Sequence, residues 1–262
     1  MGPFTLTFFR FFPAGMLLYL LNSRQFRDEK VNKKDRAGFL ILGLVGITLT
    51  YGIYFNGLLR TSATDASLLF ACEPIIITII ATAVLKERPN QQQWAGLMVG
   101  LIGIWVIAGL KLGNWLALLG LSCECFVSVL AKDLTARYAP VSILARQMLL
   151  GSLFALPMMI VEILQRPVHF TATSVSGWIY LSLINSALCY GIWFTMVKRY
   201  PLSLISIYIL IQPLSGPFYA WLFIGEPFTV RTVLGMLLVI AGIVLTSLKL
   251  QNRKNEASQE DI

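Results

Sequence analysis

Nine apolar runs, separated by short polar segments, dominate this chain of 262 residues. Each run is close to the ~20 residues that cross a ~30 Å hydrocarbon core as a helix. Because backbone polar groups in lipid need hydrogen-bond partners within their own segment, helices are the structure open to such runs. The sequence therefore predicts an all-α integral membrane protein with nine transmembrane helices, at about 3–21, 37–59, 64–85, 92–110, 114–131, 141–164, 175–197, 203–224 and 231–248.

The composition excludes a water-soluble fold. Hydrophobic residues make up 56% of the chain and charged residues 13%, with a mean hydropathy of +0.72, whereas soluble domains carry about 25% charged residues. The net charge of +8 could indicate a nucleic-acid partner. We expect none, because the basic residues sit in short gaps between apolar runs and form no continuous basic face. The polar residues 249–262 predict a disordered tail.

Lys and Arg are distributed unequally between alternate loops. One set of loops, together with the C-terminal tail, holds fifteen of them and the other set holds four. Loops rich in Lys and Arg face the cytoplasm. The sequence thus predicts a multi-pass protein of the cell membrane, the bacterial inner membrane in particular, with a cytoplasmic C-terminus.

The chain matches itself at an offset of 139 residues. Residues 38–104 and 177–243 share 16 identities in 67 pairs without a gap, including Tyr51 with Tyr190 and Pro74 with Pro213. Matched prolines and glycines are backbone features that shared apolar composition would not align. The second and seventh apolar runs correspond. An odd separation of five runs means that the two copies cross the membrane in opposite directions, as in inverted-repeat transporters.

The repeat divides the chain into two halves and a tail. Residues 1–110 form a first repeat of four helices, residues 114–248 a second of five, and residues 249–262 the cytoplasmic tail. Arg10 aligns with Arg146 at an offset of 136, which leaves the run 114–131 without a partner. Two explanations remain open: a nine-helix protein with an external N-terminus, or a sequence that begins after a first helix. We favour the second.

The doubled order of motifs resembles the EamA-type members of the drug/metabolite transporter superfamily. In each half an Arg in the first helix precedes a Pro-interrupted helix, a short Glu-containing turn and two glycines seven residues apart. The motif residues are Arg10, Glu73-Pro74, Glu87, Gly96 and Gly103 in one half, and Arg146, Gln212-Pro213, Glu226, Gly235 and Gly242 in the other. The resemblance implies a ten-helix inverted-repeat carrier, here lacking its first helix. It also implies an exporter of amino acids or other small metabolites.

Polar residues at membrane depth are the first candidates for the site. Glu73 lies nine residues into its run, near the bilayer midplane, and Gln212 has the equivalent depth in the second copy. Each precedes a proline, Pro74 or Pro213, which removes a backbone donor and frees a carbonyl, and the second copy adds Pro217. Broken helices at the midplane are where carriers expose backbone to substrate and coupling ions. The alternative is that these prolines only kink the helices for packing.

Glu124 is a second midplane carboxylate, and Arg10 and Arg146 lie within helices. If both arginines and both carboxylates face one cavity, their charges balance and would suit a zwitterion such as an amino acid. A mutual salt-bridge arrangement would balance in the same way. The arginines could instead extend to water or to lipid phosphate at the membrane surfaces.

Aromatic residues complete the candidate site. Tyr51 and Tyr190 begin the same motif in the two halves, and Trp193 belongs to the second copy. Rings with a polar edge can line a cavity for amphipathic solutes. They could equally form an interfacial belt or a packed core.

Enzyme chemistry finds no support in the motifs. The chain has no phosphate-binding glycine loop, no nucleophile with a base, and no His or Cys set spaced for a metal, so we expect no cofactor and no metal. We therefore predict a secondary transporter for small molecules, driven by an ion gradient in which Glu73 or Glu124 carries the proton. The alternative is a membrane assembly or sensor protein that does not transport. The sequence leaves substrate and oligomeric state undetermined.

Overall fold

Within the described residues, every regular element of the protein is helical, which confirms the predicted all-α class. The structure is a computed structural model. It describes residues 1–85, 91–109, 111–165, 168, 170–199, 211–227, 229–230, 233–238, 240–241 and 244. The predicted tail and the predicted turn at Glu87 lie outside these residues.

The described part of the chain contains twelve α-helices. They are α1 Pro3–Leu21, α2 Ser23–Asp28, α3 Arg36–Gly43, α4 Thr50–Leu58, α5 Ala63–Leu69, α6 Glu73–Leu85, α7 Gln91–Ala108, α8 Leu112–Thr135, α9 Pro140–Gln165, α10 Ala172–Ile179, α11 Tyr190–Arg199 and α12 Ile211–Ile224. Two π-helical segments, Leu44–Leu49 and Tyr180–Cys189, join α3 to α4 and α10 to α11. Short 3₁₀ turns occupy Lys33–Asp35 and Phe70–Cys72.

Five described helices are long and apolar enough to cross a membrane. They are Pro3–Leu21, Lys33–Leu58, Leu112–Thr135, Pro140–Gln165 and Ala172–Arg199. These five coincide with predicted apolar runs to within a few residues. The run at 64–85 is divided into α5, the 3₁₀ turn and α6, and the last two runs lie partly outside the described residues. The count of nine therefore stays a prediction.

The two π-helical segments occur at equivalent positions of the sequence repeat. Adding the offset of 139 to Leu44–Leu49 gives residues 183–188, which lie inside Tyr180–Cys189. A π-helical segment is an uncommon departure from the α-helix and is frequent at functional sites. The same departure in both copies indicates that the repeat extends to backbone geometry.

The chain forms two compact units that interleave its halves. Unit 1 comprises Met1–Asn56 and Leu116–Ile205, and unit 2 comprises Gly57–Trp115 and Ser206–Ile262. Each unit thus combines a part of the first half with a part of the second. Residues 57–115 of unit 2 correspond, at the offset of 139, to residues 196–254, most of which belong to the same unit.

In unit 1, α1 and α9 pack against each other in opposite directions. Glu162, near the end of α9, accepts hydrogen bonds from the backbone N–H groups of Phe4 and Thr5 at 3.1 and 2.8 Å, and from the Thr5 hydroxyl. These amides belong to the first turn of α1, where helical partners are missing. A carboxylate here satisfies them and complements the helix dipole.

The other end of the same helix pair carries a matching contact. Glu29, just beyond α2, accepts a hydrogen bond of 2.7 Å from the Ala139 amide, directly before α9. It also pairs with Arg146 at 2.8 Å. The start of α1 is therefore bound by Glu162 near the end of α9, and the start of α9 is bound by Glu29, which follows α1 and α2 in the chain.

Unit 2 uses the same device. Glu226 accepts hydrogen bonds from the Ala63 and Thr64 amides, at 3.0 and 2.9 Å, at the start of α5. Gly225, with φ of +74°, makes the turn that follows α12 and presents Glu226, a backbone conformation that glycine adopts without penalty. Glu226 thus stabilises the start of α5.

Replacing Glu162 by alanine should lower the free energy of unfolding by about 1 kcal/mol, the usual cost of removing a helix cap. The matched control is Gln165→Ala, because Gln165 is an exposed residue at the end of the same helix. The measurement is denaturant unfolding of the purified protein in detergent. Equal stability of the two variants would contradict the capping role.

The contribution of Glu29 to stability should depend on pH. Burial raises the pKa of Glu29, but hydrogen bonds from Ser142 and the Ala139 amide, with the Arg146 charge, outweigh it and hold the pKa below its usual range. A carboxylate with a lowered folded-state pKa stabilises the protein above its unfolded-state pKa of about 4.3, and this stabilisation is lost as the pH falls through the folded-state value.

We therefore expect wild type to melt at a higher temperature than Glu29→Gln at pH 7, with a difference that shrinks as the pH falls below about 4. Thermal unfolding of both proteins across this range measures the effect. A difference that stays constant with pH would show that the Glu29 charge contributes nothing.

Candidate functional site

The candidate site of unit 1 is centred on Glu124. This residue is the thirteenth of the 24 in α8, about 18 Å from the start of a helix that rises 1.5 Å per residue. Its side chain is half-buried. A carboxylate at this depth in a membrane-spanning helix needs polar partners, since lipid supplies none.

Two tyrosines provide those partners. The Tyr190 hydroxyl donates a hydrogen bond of 2.8 Å to Oε1 of Glu124, and the Tyr51 hydroxyl donates one of 3.2 Å to the same oxygen. The two hydroxyl oxygens also contact each other, so one carboxylate oxygen and two phenol oxygens form a closed triangle of polar contacts. Because each phenol carries one proton, two of the three contacts are hydrogen bonds when the carboxylate is ionised, and a protonated carboxyl supplies the proton for the third.

The two tyrosines occupy equivalent positions of the repeat, 139 residues apart. Tyr190 directly follows the π-helical segment Tyr180–Cys189. Tyr51 follows the segment Leu44–Leu49 with one residue, Thr50, between them. Equivalent residues of the two sequence copies thus bind the same carboxylate. Glu124 itself comes from α8, which lies outside residues 38–104 and 177–243 that the repeat aligns.

Gly120 brings α8 close to the helix that carries Tyr51. A Cβ atom at Gly120 would lie 2.7 Å from the Thr50 carbonyl oxygen and 2.9 Å from Cβ of Tyr54, too close for a side chain. Glu124 stands one turn further along the same face of α8. The close approach at Gly120 therefore places the carboxylate against Tyr51.

Arg10 from α1 adds a buried positive charge. Its Nε donates to the Ser186 hydroxyl at 2.9 Å and its Nη2 donates to Oδ1 of Asn185 at 2.6 Å. The guanidinium also lies 4.7 Å from the ring centres of both Phe11 and Tyr51, in cation–π geometry. Arg10 is only 6% exposed, so the expectation that it reaches the membrane surface is wrong.

These contacts define the Glu124 cluster, made of Arg10, Tyr51, Glu124, Asn185, Ser186 and Tyr190. The Arg10 charge acts electrostatically on the Glu124 carboxylate, while its hydrogen bonds go to the neutral side chains of Asn185 and Ser186. A positive and a negative group thus lie in one cluster without forming an ion pair with each other among the described contacts. Such an arrangement leaves both charges available to a charged or zwitterionic ligand.

Arg146 is not part of this cluster. Its Nη1 binds the Glu29 carboxylate and its Nη2 donates to the Glu29 carbonyl oxygen at 2.9 Å. The guanidinium lies over the Phe26 ring at 4.5 Å. Its charge is therefore balanced locally by Glu29, unlike the shared cavity expected for Arg10 and Arg146. Equivalent positions in the repeat have acquired different surroundings.

Trp193 of α11 is half-buried and lies three residues beyond Tyr190 along the helix. None of the contacts of the described residues joins its side chain to the Glu124 cluster. Its assignment to the site remains a prediction.

The other candidates belong to unit 2. Glu73 is buried, at 7% exposure, and begins α6 directly after the 3₁₀ turn Phe70–Cys72, with Pro74 as the next residue. The run is thus interrupted where Pro74 was expected to interrupt it. Gln212 is exposed on α12, which also contains Pro213 and the buried Pro217. Their part in a substrate site remains a prediction.

Sequence reasoning missed Asn185 and Ser186 as partners of Arg10. Both are polar residues inside the apolar run 175–197, which was the available signal. The glutamates Glu29 and Glu162 were also missed, because their partners are backbone amides that no side-chain motif marks. Among the described residues, no group of three His, Cys, Asp or Glu could hold a metal ion.

Comparisons with known proteins identify the family. The model of the EamA-like transporter family matches residues 1–109 and again residues 111–248. An uncharacterized transporter of Archaeoglobus fulgidus is 24% identical over 95% of this chain and 89% of its own length. An uncharacterized transporter of Synechocystis is 26% identical over 96% and 84%.

A chloroplastic WAT1-related protein of Arabidopsis thaliana is 22% identical over 94% of this chain and 63% of its own. A solved crystal structure aligns with a TM-score of 0.68 over 95% of this chain and 88% of its own, at 17% identity, which speaks to the fold alone. With its apolar helices and a family match over nearly its whole length, the chain belongs to the EamA-like transporter family, multi-pass membrane proteins of the drug/metabolite transporter superfamily.

Proposed function

We propose that this transporter is a secondary carrier that exports small metabolites, such as amino acids or related amphipathic solutes, in exchange for protons. The observation that carries the proposal is the Glu124 carboxylate at mid-helix depth, held by two tyrosines from equivalent positions of the repeat. A buried carboxylate is costly and is kept in membrane helices where protons or ions pass. Glu124 is thus the coupling residue in this proposal.

The hydrogen-bonding chemistry of the cluster suits proton binding and release. An ionised carboxylate accepts hydrogen bonds, so both tyrosine hydroxyls can donate to it, whereas a protonated carboxyl can donate to a tyrosine oxygen. The hydroxyls of Tyr51 and Tyr190 can turn to serve either state. A proton can therefore be taken up or released at Glu124 without leaving a buried polar group unpaired.

The charges of the cluster support a zwitterionic substrate. Arg10 would attract a carboxylate and Glu124 an ammonium group, and the rings of Phe11 and Tyr51 supply apolar surface beside them. Binding the ammonium at Glu124 and binding a proton there exclude each other, because both neutralise the same carboxylate. Competition for one carboxylate is a simple physical basis for exchange of substrate against protons.

We propose two inverted repeats, 1–110 and 114–248, that cross the membrane nine times. The antiparallel packing of α1 and α9, the matched π-helical segments and the meeting of Tyr51 with Tyr190 support this inversion. The two separate family matches, at 1–109 and 111–248, support the division. The loop charges support a cytoplasmic C-terminus in a bacterial inner membrane.

Unit 2 supplies the second part of the proposal. Its interrupted helix at Glu73 and Pro74 offers backbone groups and a carboxylate to substrate, and Gln212, Pro213 and Pro217 are the proposed counterpart in the second half. Glu73 is the alternative coupling residue.

Glu124→Gln should abolish proton-coupled transport and weaken substrate exchange, because glutamine preserves the shape of the side chain but neither releases a proton nor carries the charge that binds the ammonium group. The assay is uptake of radiolabelled amino acids into proteoliposomes, with and without a pH gradient. The control is Ser122→Ala on the same helix, whose hydroxyl donates only to the Leu118 carbonyl in its own helix. Loss of coupling in Glu73→Gln but not in Glu124→Gln would move the coupling site to unit 2.

The tyrosine pair should act as a unit. Losing a hydrogen bond to a charged group costs about 1.5–3 kcal/mol, so Tyr51→Phe and Tyr190→Phe should each slow coupled transport roughly tenfold or more. The double variant should lose less than the product of the two effects, because both hydroxyls serve one oxygen and each other. Tyr180→Phe, at an exposed tyrosine, is the matched control. Strictly multiplicative losses would show that the hydroxyls act independently.

A further inference from the structure

In the segment between α1 and α3, residues 22–36, two of the three acidic residues form ion pairs within unit 1. Glu29 pairs with Arg146 at 2.8 Å. Asp35, only 8% exposed, accepts a hydrogen bond of 2.7 Å from the Tyr138 hydroxyl and pairs with Arg137 at 3.3 Å. Both carboxylates thus form ion pairs with residues of unit 1.

Five basic side chains of the same segment are exposed, and the contacts of the described residues give none of the five an ion pair: Arg24, Lys30, Lys33, Lys34 and Arg36. Asp28 is the exposed acid that accompanies them. The outer face of segment 22–36 therefore carries a strong positive charge that the inner ion pairs do not offset.

Specific contacts hold this basic face in place. The Phe26 ring of α2 packs edge-on against the Tyr19 ring, with 4.9 Å between the ring centres. The Arg146 guanidinium lies 4.5 Å from the centre of the Phe26 ring. The Asn32 amide donates to the Tyr138 hydroxyl at 3.0 Å. The cations thus stand on an anchored platform rather than on a freely moving loop.

The basic face adjoins an apolar surface. Leu20 and Leu21, at the end of α1, are 61% and 72% exposed, and Leu40 in α3 is 48% exposed. In a membrane-spanning protein such exposed leucines face lipid chains. The adjacent cations therefore lie at the level of the lipid headgroups.

We propose that segment 22–36 is a binding surface for the headgroups of anionic lipids. Clustered Lys and Arg directly beside a membrane-spanning helix attract anionic headgroups. The ion pairs of Glu29 and Asp35 neutralise two of the three carboxylates that would repel such headgroups. The site is separate from the Glu124 cluster and does not depend on the transport proposal. It holds for whichever leaflet the segment contacts.

The test compares two double variants of the full chain in detergent. Lys33→Gln with Lys34→Gln removes two cations of the segment, and Lys198→Gln with Arg199→Gln removes an exposed basic pair at the end of α11. Native mass spectrometry measures the binding of phosphatidylglycerol, with phosphatidylcholine as the neutral lipid. We expect each removed cation of the segment to weaken phosphatidylglycerol binding about fivefold, with little change for phosphatidylcholine or for the α11 variant.

Rising ionic strength should weaken the wild-type interaction as well. Equal losses in both double variants would overturn the proposal, because net charge alone would then explain binding. Unchanged phosphatidylglycerol binding in the segment variant would also overturn it. So would displacement of the lipid by millimolar inorganic phosphate, which would indicate a general anion site.

Discussion

A carboxylate at membrane depth needs polar partners, and the arrangement of residues around Glu124 follows from that need. Lipid offers no hydrogen bonds, and moving a charge into it costs at least ~2.5 kcal/mol. Tyr51 and Tyr190 donate to the carboxylate, and Arg10 supplies a nearby positive charge. The same constraint explains why the Arg10 guanidinium is itself bound by Asn185 and Ser186.

The ends of the helices meet a related requirement. The first amides of α1 and α5 have no partners within their helices, and glutamates from elsewhere in the same unit, Glu162 and Glu226, bind them. Glu29 does the same before α9. Three acidic residues, of which only Glu226 belongs to a sequence motif, thus fix where helices begin. Glu162 and Glu29 do so for α1, which carries Arg10, and for α9, which packs against it.

The helical class and the long spans of unit 1 could be predicted from sequence, because the length and hydropathy of an apolar run are set by the bilayer alone. The repeat directed attention to Tyr51 and Tyr190, since it aligns equivalent residues. It could not predict that the two hydroxyls meet each other, because that depends on how the helices of unit 1 pack. The different surroundings of Arg10 and Arg146 could not be predicted from the sequence either. Glu29, the partner of Arg146, lies in a loop whose conformation the apolar pattern does not determine.

The central claim is that substrate and proton compete for one carboxylate. Its most direct measurement is proton movement in proteoliposomes that contain the wild-type protein, are loaded with a mixture of amino acids, and enclose a pH-sensitive dye. Diluting these proteoliposomes into buffer without amino acids creates an outward substrate gradient, which should drive protons inward. The internal pH should then fall in proportion to the amount of amino acid released. Release of amino acids with no change in internal pH would contradict the claim.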